Sequence, residues 1–240
     1  TNDTLCGVFL GCFAGCNVST GAGTLGIGLC AMFNGSAAVN NTAVGFNAMK
    51  GTAAITGCNN SAFGRNSLQA VTSGFGNTAL GNNALCCNTT GVQNTAVGSG
   101  ALAQNTTGCF NVAVGQAAMS NLNGGNDNVA IGSCAGQGFG SNSNNIAIGA
   151  SALMTTGSTG LNNTAVGTQA MFCAVTGGCN VAIGFQAMCG SGVVSGLANV
   201  AVGRYAGCDI TTPWLVIRLA LTLFLVSVTC LSVRVLAVVS

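Results

Sequence analysis

Asn41-Thr42-Ala43-Val44-Gly45-Phe46-Asn47-Ala48-Met49 is the first clean copy of the phrase that decides the fold. The phrase reads Asn-Thr-Ala-Val-Gly, two variable residues, then Ala-Met, and it recurs twelve times along the 240-residue chain. Its closing glycine falls at 11, 28, 45, 64, 81, 98, 115, 132, 149, 167, 184 and 203, in steps of 17 residues stretched to 18 or 19 in three places. A fixed period of this length means one small structural unit stacked on copies of itself.

Counting from the closing glycine, the fourth position before it is Asn in ten of the twelve copies, among them Asn41, Asn94, Asn128 and Asn180. The second before is Ala in the same ten, as at Ala43, Ala96, Ala130 and Ala182. The position just before the glycine is apolar in every copy, as at Val44 before Gly45, Val97 before Gly98, Ile131 before Gly132 and Ile183 before Gly184. Three after it stands Ala, with Ser67 the one exception, and four after stands Leu or Met in nine copies and Gly in three.

The alternation over four residues has a period of 2, which spells a β-strand with Thr/Val and Val/Ile on one face and Asn and Ala on the other. β-branched residues favour that state. The glycine ends the strand, the Ala-Leu/Met pair reads as a second short strand, and a polar stretch such as Asn88-Thr89-Thr90-Gly91 turns the chain back. Helices are excluded by the short, glycine-interrupted copies. The expected fold is all-β: a parallel β-solenoid of about twelve coils over residues 1–208, roughly 55–60 Å long at about 4.8 Å per coil. The residue before the glycine is expected to point into the coil, so that Val114→Asp would unfold its neighbours. The Asn columns are expected to form amide ladders.

Composition narrows function by exclusion. Charged residues make up 3% of the chain, there is no His, and the only acids are Asp3, Asp127 and Asp209. General acid–base catalysis needs a titratable group near the working pH, so no catalytic residue and no enzyme activity is expected. Five cations and a net charge of +2 make no basic patch, which argues against nucleic-acid binding.

Fourteen cysteines avoid the strand columns. Cys16, Cys86, Cys189 and Cys208 stand five after a glycine, and Cys87 and Cys173 six after. Cys189 and Cys208 share one column in adjacent coils and form a candidate disulfide rung; tolerant substitution of Ser or Asn in turns is the alternative. Without His, no metal site and no cofactor is expected. Asn-x-Ser/Thr sequons, as at Asn17, Asn40, Asn88 and Asn162, follow from the Asn/Thr-rich repeat itself.

After Gly207 the repeat vanishes. Residues 213–240 hold neither Gly nor Asn, and 15 uncharged residues separate Arg218 from Arg234. Three readings stand for the hydrophobic segment 209–240: a membrane-contacting helix over 214–240, a cap on the open solenoid end, or an out-of-frame end. No N-terminal signal peptide is visible in the sequence as it begins.

Asn128-Val129-Ala130-Ile131-Gly132 and Asn180-Val181-Ala182-Ile183-Gly184 resemble the head repeats of trimeric autotransporter adhesins (YadA-like, haemagglutinin-type), and Asn77-Thr78-Ala79-Leu80-Gly81 resembles the Asn-Thr-Ala-Leu-Gly repeat of tail-fibre proteins. The resemblance covers roughly residues 7–208. It implies a left-handed β-roll that assembles as a homotrimer, lies outside the cell or on its surface (or on a virion fibre), and attaches to a host glycan or matrix protein. The 17-residue period is longer than the adhesin repeat, and no coiled-coil stalk or β-barrel anchor is visible. An ice-binding solenoid is a second reading, weakened by a Thr column broken at Val112, Val129, Ile146, Val181 and Val200.

Overall fold

A computed structural model describes residues 7–20, 22–154, 160–172, 177–190 and 196–208, and the backbone of 218–219. Cys173 and nearly all of the segment 209–240 lie outside these residues.

The chain forms a parallel β-solenoid. Twelve three-residue strands follow one another in a single sheet in sequence order: β1 (Val8–Leu10), β2 (Leu25–Ile27), β3 (Thr42–Val44), β4 (Ser61–Phe63), β5 (Thr78–Leu80), β6 (Thr95–Val97), β7 (Val112–Val114), β8 (Val129–Ile131), β9 (Ile146–Ile148), β10 (Thr164–Val166), β11 (Val181–Ile183) and β12 (Val200–Val202). A two-residue strand, β13 (Arg218–Leu219), pairs with β12. The register is uniform: Thr95↔Val112, Ala96↔Ala113 and Val97↔Val114 repeat in kind from β1 to β12. Every repeat column therefore becomes a column in space.

Two expectations need correction. First, each coil contains one strand, not two. The Ala-Leu/Met segment is a tight turn in which the residues two and four after the glycine are left-handed, as at Ala117 (φ 54°) and Met119 (φ 48°). Left-handed φ is strained for a branched or long side chain, and nothing in a period-2 pattern announces it. The turn is nonetheless ladder-bonded: Ala117 N–H donates back to Ser99 O (2.8 Å), and Met119 N–H donates forward to Ala135 O (2.9 Å).

Second, the strand faces are inverted. The residue before the glycine points outward: Val114 is 36% exposed, Ile131 41% and Leu80 50%. The Asn and Ala positions point inward, with Asn94, Ala96, Asn128, Ala130, Asn180 and Ala182 fully buried. The reason is size. Backbone surrounds the interior closely, so the strand contributes only Ala and Asn. The bulk comes from the turn, where Ala101 and Leu102, or Ala118 and Met119, are fully buried. Where the turn offers Gly136 instead of Leu or Met, Phe139 fills the space; a Cβ at Gly136 would lie 2.7 Å from that ring. In the first coil Phe9 takes the Ala position, and Gly26 of the next coil makes room for it.

The closing glycine is fixed by two constraints at once. Gly115 has φ +134°, and a Cβ there would sit 2.5 Å from Gly132 O. A second glycine column, seven before the closing one, was not read from the sequence: at Gly108 a Cβ would collide with the Gly125 carbonyl.

A candidate binding surface on the outward sheet face

The inward Asn column is a satisfied hydrogen-bond ladder. Asn111 shows the pattern. Its Nδ2 donates to Asn94 Oδ1 (3.0 Å) and to Gly125 O (2.8 Å), while its Oδ1 accepts from the backbone N–H of Asn128 (3.0 Å) and from Asn128 Nδ2 (3.0 Å). The glycine carbonyls of the second glycine column are thus the partners of the amides. The backbone link runs from Asn41, which accepts from Asn60 N–H (2.8 Å), to Asn180, which accepts from Asn199 N–H (3.0 Å). Among the described residues of the ladder, only Asn199 Oδ1 lacks a donor. Shared amides of this kind stiffen the rod, since an unpaired buried amide is costly.

The ladder turns the opposite strand face to solvent. That face carries Thr42, Thr78, Thr95, Val112, Val129 and their equivalents in one column, and Val44, Leu80, Val97, Val114, Ile131 and Ile183 in the next. Neither column contains a charged residue from β1 to β12. Two columns spaced about 7 Å apart along about 55 Å of rod make a flat strip of roughly 400 Å². That lies within the range of the largest apolar patches found on monomers, and such patches usually mark contact surfaces.

Beside the strip, the residue just after each glycine is exposed and variable. At one place it clusters with aromatics: the Arg204 guanidinium lies 5.6 Å from the Phe185 ring centroid and 4.8 Å from that of Tyr205, and the two rings meet edge to face at 5.6 Å. Arg65 lies 5.9 Å from the Phe46 ring. The next position, also variable, is partly structural: Asn66 Nδ2 donates to Asn83 Oδ1 (3.0 Å), and Gln186 Nε2 donates to Gln169 Oε1 (2.6 Å).

Cys208 stands in the column expected to form a rung with Cys189, and its thiol donates to Tyr205 O (2.8 Å) and Gln186 O (3.4 Å). Among the described residues no three His, Cys, Asp or Glu side chains gather in a group that could hold a metal ion, and no helix is long and apolar enough to cross a membrane.

The fold and the face together define a class: a parallel β-solenoid repeat protein with an amide-laddered interior and an uncharged outward sheet. No protein-family model matches the chain, and no curated protein and no solved structure is similar to it.

Proposed function

We propose that this chain is a non-enzymatic extracellular rod that makes contacts along its length, as the head of an adhesin or the shaft of a tail fibre does. One observation carries the reading: a rigid rod turns an uncharged, apolar strip of about twelve registered rungs to solvent. A strip of roughly 400 Å² per chain falls short of the about 800 Å² per partner in an ordinary stable interface. Packing of the strip together with the flanking Phe46 against other copies, as in a homotrimer, enlarges the contact. The exposed Arg204–Phe185–Tyr205 cluster then stays available to a host glycan or matrix protein. Residues 214–240 supply a membrane contact in this scheme.

The test has two arms. Light scattering coupled to size exclusion reads the oligomer, with a trimer expected and a monomer at all concentrations against it. A glycan array and a cell-adhesion assay read attachment; loss of binding in Arg204→Ala/Tyr205→Ala is expected, and no binding to any surface by the parent leaves only a spacer role.

A second reading gains from the outward placement of the Thr column. Thr42, Thr78, Thr95 and Thr164 share the exposed face with Val44, Leu80, Val97 and Val166, so a flat, regularly spaced Thr/Val surface of the sort that can match an ice lattice is available. Thermal hysteresis in the parent, abolished by Thr95→Lys, is the outcome this reading requires.

A further inference from the structure

Cys86 and Cys87 are adjacent in sequence and lie at the corner where the turn of one coil leaves the core. Their sulfurs are 3.7 Å apart. The Cys86 thiol also donates to Ala103 O of the next coil (3.3 Å). The backbone that carries the pair is pinned on both sides: Ala70 N–H donates to Cys86 O (3.0 Å), and Cys87 N–H donates to Ala103 O (3.1 Å). In the stacked columns Cys86 lies between Gln69 and Ala103 and Cys87 between Ala70 and Gln104, so each cysteine has an alanine on one side. Cys86 is half-buried and Cys87 exposed.

We propose that Cys86 and Cys87 form a two-thiolate site for a single soft, thiophilic ion, Cu(I) being the natural occupant. Thiolates select soft ions. No third Cys, His, Asp or Glu joins the pair among the described residues, which disfavours the four-ligand tetrahedral site that structural zinc requires and suits an ion content with two sulfurs. A direct disulfide fits the corner less well. It would close an eight-membered ring through the peptide bond, and adjacent Cα atoms at about 3.8 Å fall short of the usual disulfide range of about 4.4–6.8 Å. An atom between the sulfurs removes that conflict. Binding balances as two thiols plus one Cu(I) giving a bis-thiolate Cu(I) anion and two protons, with no change of oxidation state. Burial, and next the neighbouring Cys87 thiol, push Cys86 up to about 12.

The test titrates Cu(I), held by the chromophoric chelator bicinchoninate without oxygen, with the fully reduced chain. Twelve other cysteines are present, so the comparison is between the parent and its Cys86→Ser and Cys87→Ser variants, each checked by circular dichroism for an intact solenoid. Each substitution should remove one tight equivalent of Cu(I), about a hundredfold weaker binding at that site, because the second thiolate is lost from an effective concentration set by the rigid corner. Equal Cu(I) withdrawal by the parent and Cys87→Ser overturns the proposal. An independent readout uses phenylarsine oxide, which condenses with a close dithiol and releases water. The peptide carrying Cys86 and Cys87 should resist later alkylation until a competing dithiol is added; unhindered alkylation of both cysteines after arsenoxide treatment also overturns it.

Discussion

Asn111→Ala is the sharpest test of the amide ladder. The residue is fully buried in the middle of the best-registered coils. Truncation at Cβ takes from the buried Asn128 N–H its acceptor at 3.0 Å and from Gly125 O its donor at 2.8 Å. It also removes one of the donors to Asn94 Oδ1, which keeps the backbone N–H of residue 111 at 3.0 Å. Two buried groups left without partners at about 1–3 kcal/mol each give a loss of about 4 kcal/mol. At about 2–4 °C per kcal/mol for a chain of this size, the melting point should fall by about 8–16 °C if all coils melt as a unit. A stack with nearest-neighbour coupling concentrates the damage, so native-state hydrogen exchange should accelerate most across residues 94–132. Val114→Ala is the control. It trims a side chain already 36% exposed on the outward face and should cost under about 1 kcal/mol. Equal melting points for the two variants, with no local rise in exchange, would refute the ladder as a source of stability.

The inverted faces predict opposite outcomes for neighbouring residues: Val114→Asp should stay folded and soluble, while Ala113→Asp buries a carboxylate and should abolish the cooperative melt followed by circular dichroism. Gly115→Ala must fit a Cβ 2.5 Å from Gly132 O at φ +134° and should lose more than about 2 kcal/mol in thermal melting, against under about 0.5 for Ser99→Ala on the exposed corner. At pH 8, Cys86 should react slowly with iodoacetamide, because its thiol titrates only at about 12; the thiolate is the nucleophile, so the rate should rise about tenfold per pH unit from 8 toward 11 in mass-resolved alkylation. A rate independent of pH would contradict the buried, paired thiol.

Repeat, strand position, register and amide ladder were all legible in the sequence, because columns that agree in twelve copies report one environment repeated twelve times. Which strand face lies inside was not. Period-2 alternation separates Asn/Ala from Thr/Val, but hydrophobicity then ranks Val114 above Ala113 for burial, and the interior is too narrow to obey that ranking. The signal that could have decided it was volume: ten of the twelve strands contribute Ala together with Asn at the ladder position, and Phe9 at the Ala position is matched by Gly26 in the next coil. The left-handed turn was hidden for a related reason. Gly15, Gly136 and Gly207 occupy the column of Leu102 and Met119, and a position that alternates between Gly and large apolar residues marks positive φ and core at once. The candidate binding surface was half legible: its lack of charge was plain, its outward orientation was not.

The three stretched coils locate where this scaffold tolerates change. In the 19-residue step from Gly45 to Gly64, Thr52, Ala53 and Ala54 are pushed out to solvent, while Ile55 returns to the core and rejoins the ladder through its N–H to Asn34 O (2.8 Å). The asparagine rung across that coil is undisturbed, with Asn60 N–H on Asn41 Oδ1 at 2.8 Å. Across the 18-residue step the rung is also kept, with Asn163 N–H on Asn145 Oδ1 at 2.9 Å. In the Gly45–Gly64 step the extra residues are thus absorbed by the return turn, because strand, closing glycine and Ala-Leu/Met turn are each held from both sides by neighbouring coils. A selection for recognition acting on this rod has two kinds of position to work with, the return turns and the residue after each glycine. The apolar strip, by contrast, is tied to the register that builds the fold, so the self-packing proposed above would set its columns against a fixed, repeating spacing, which another copy of the same rod presents.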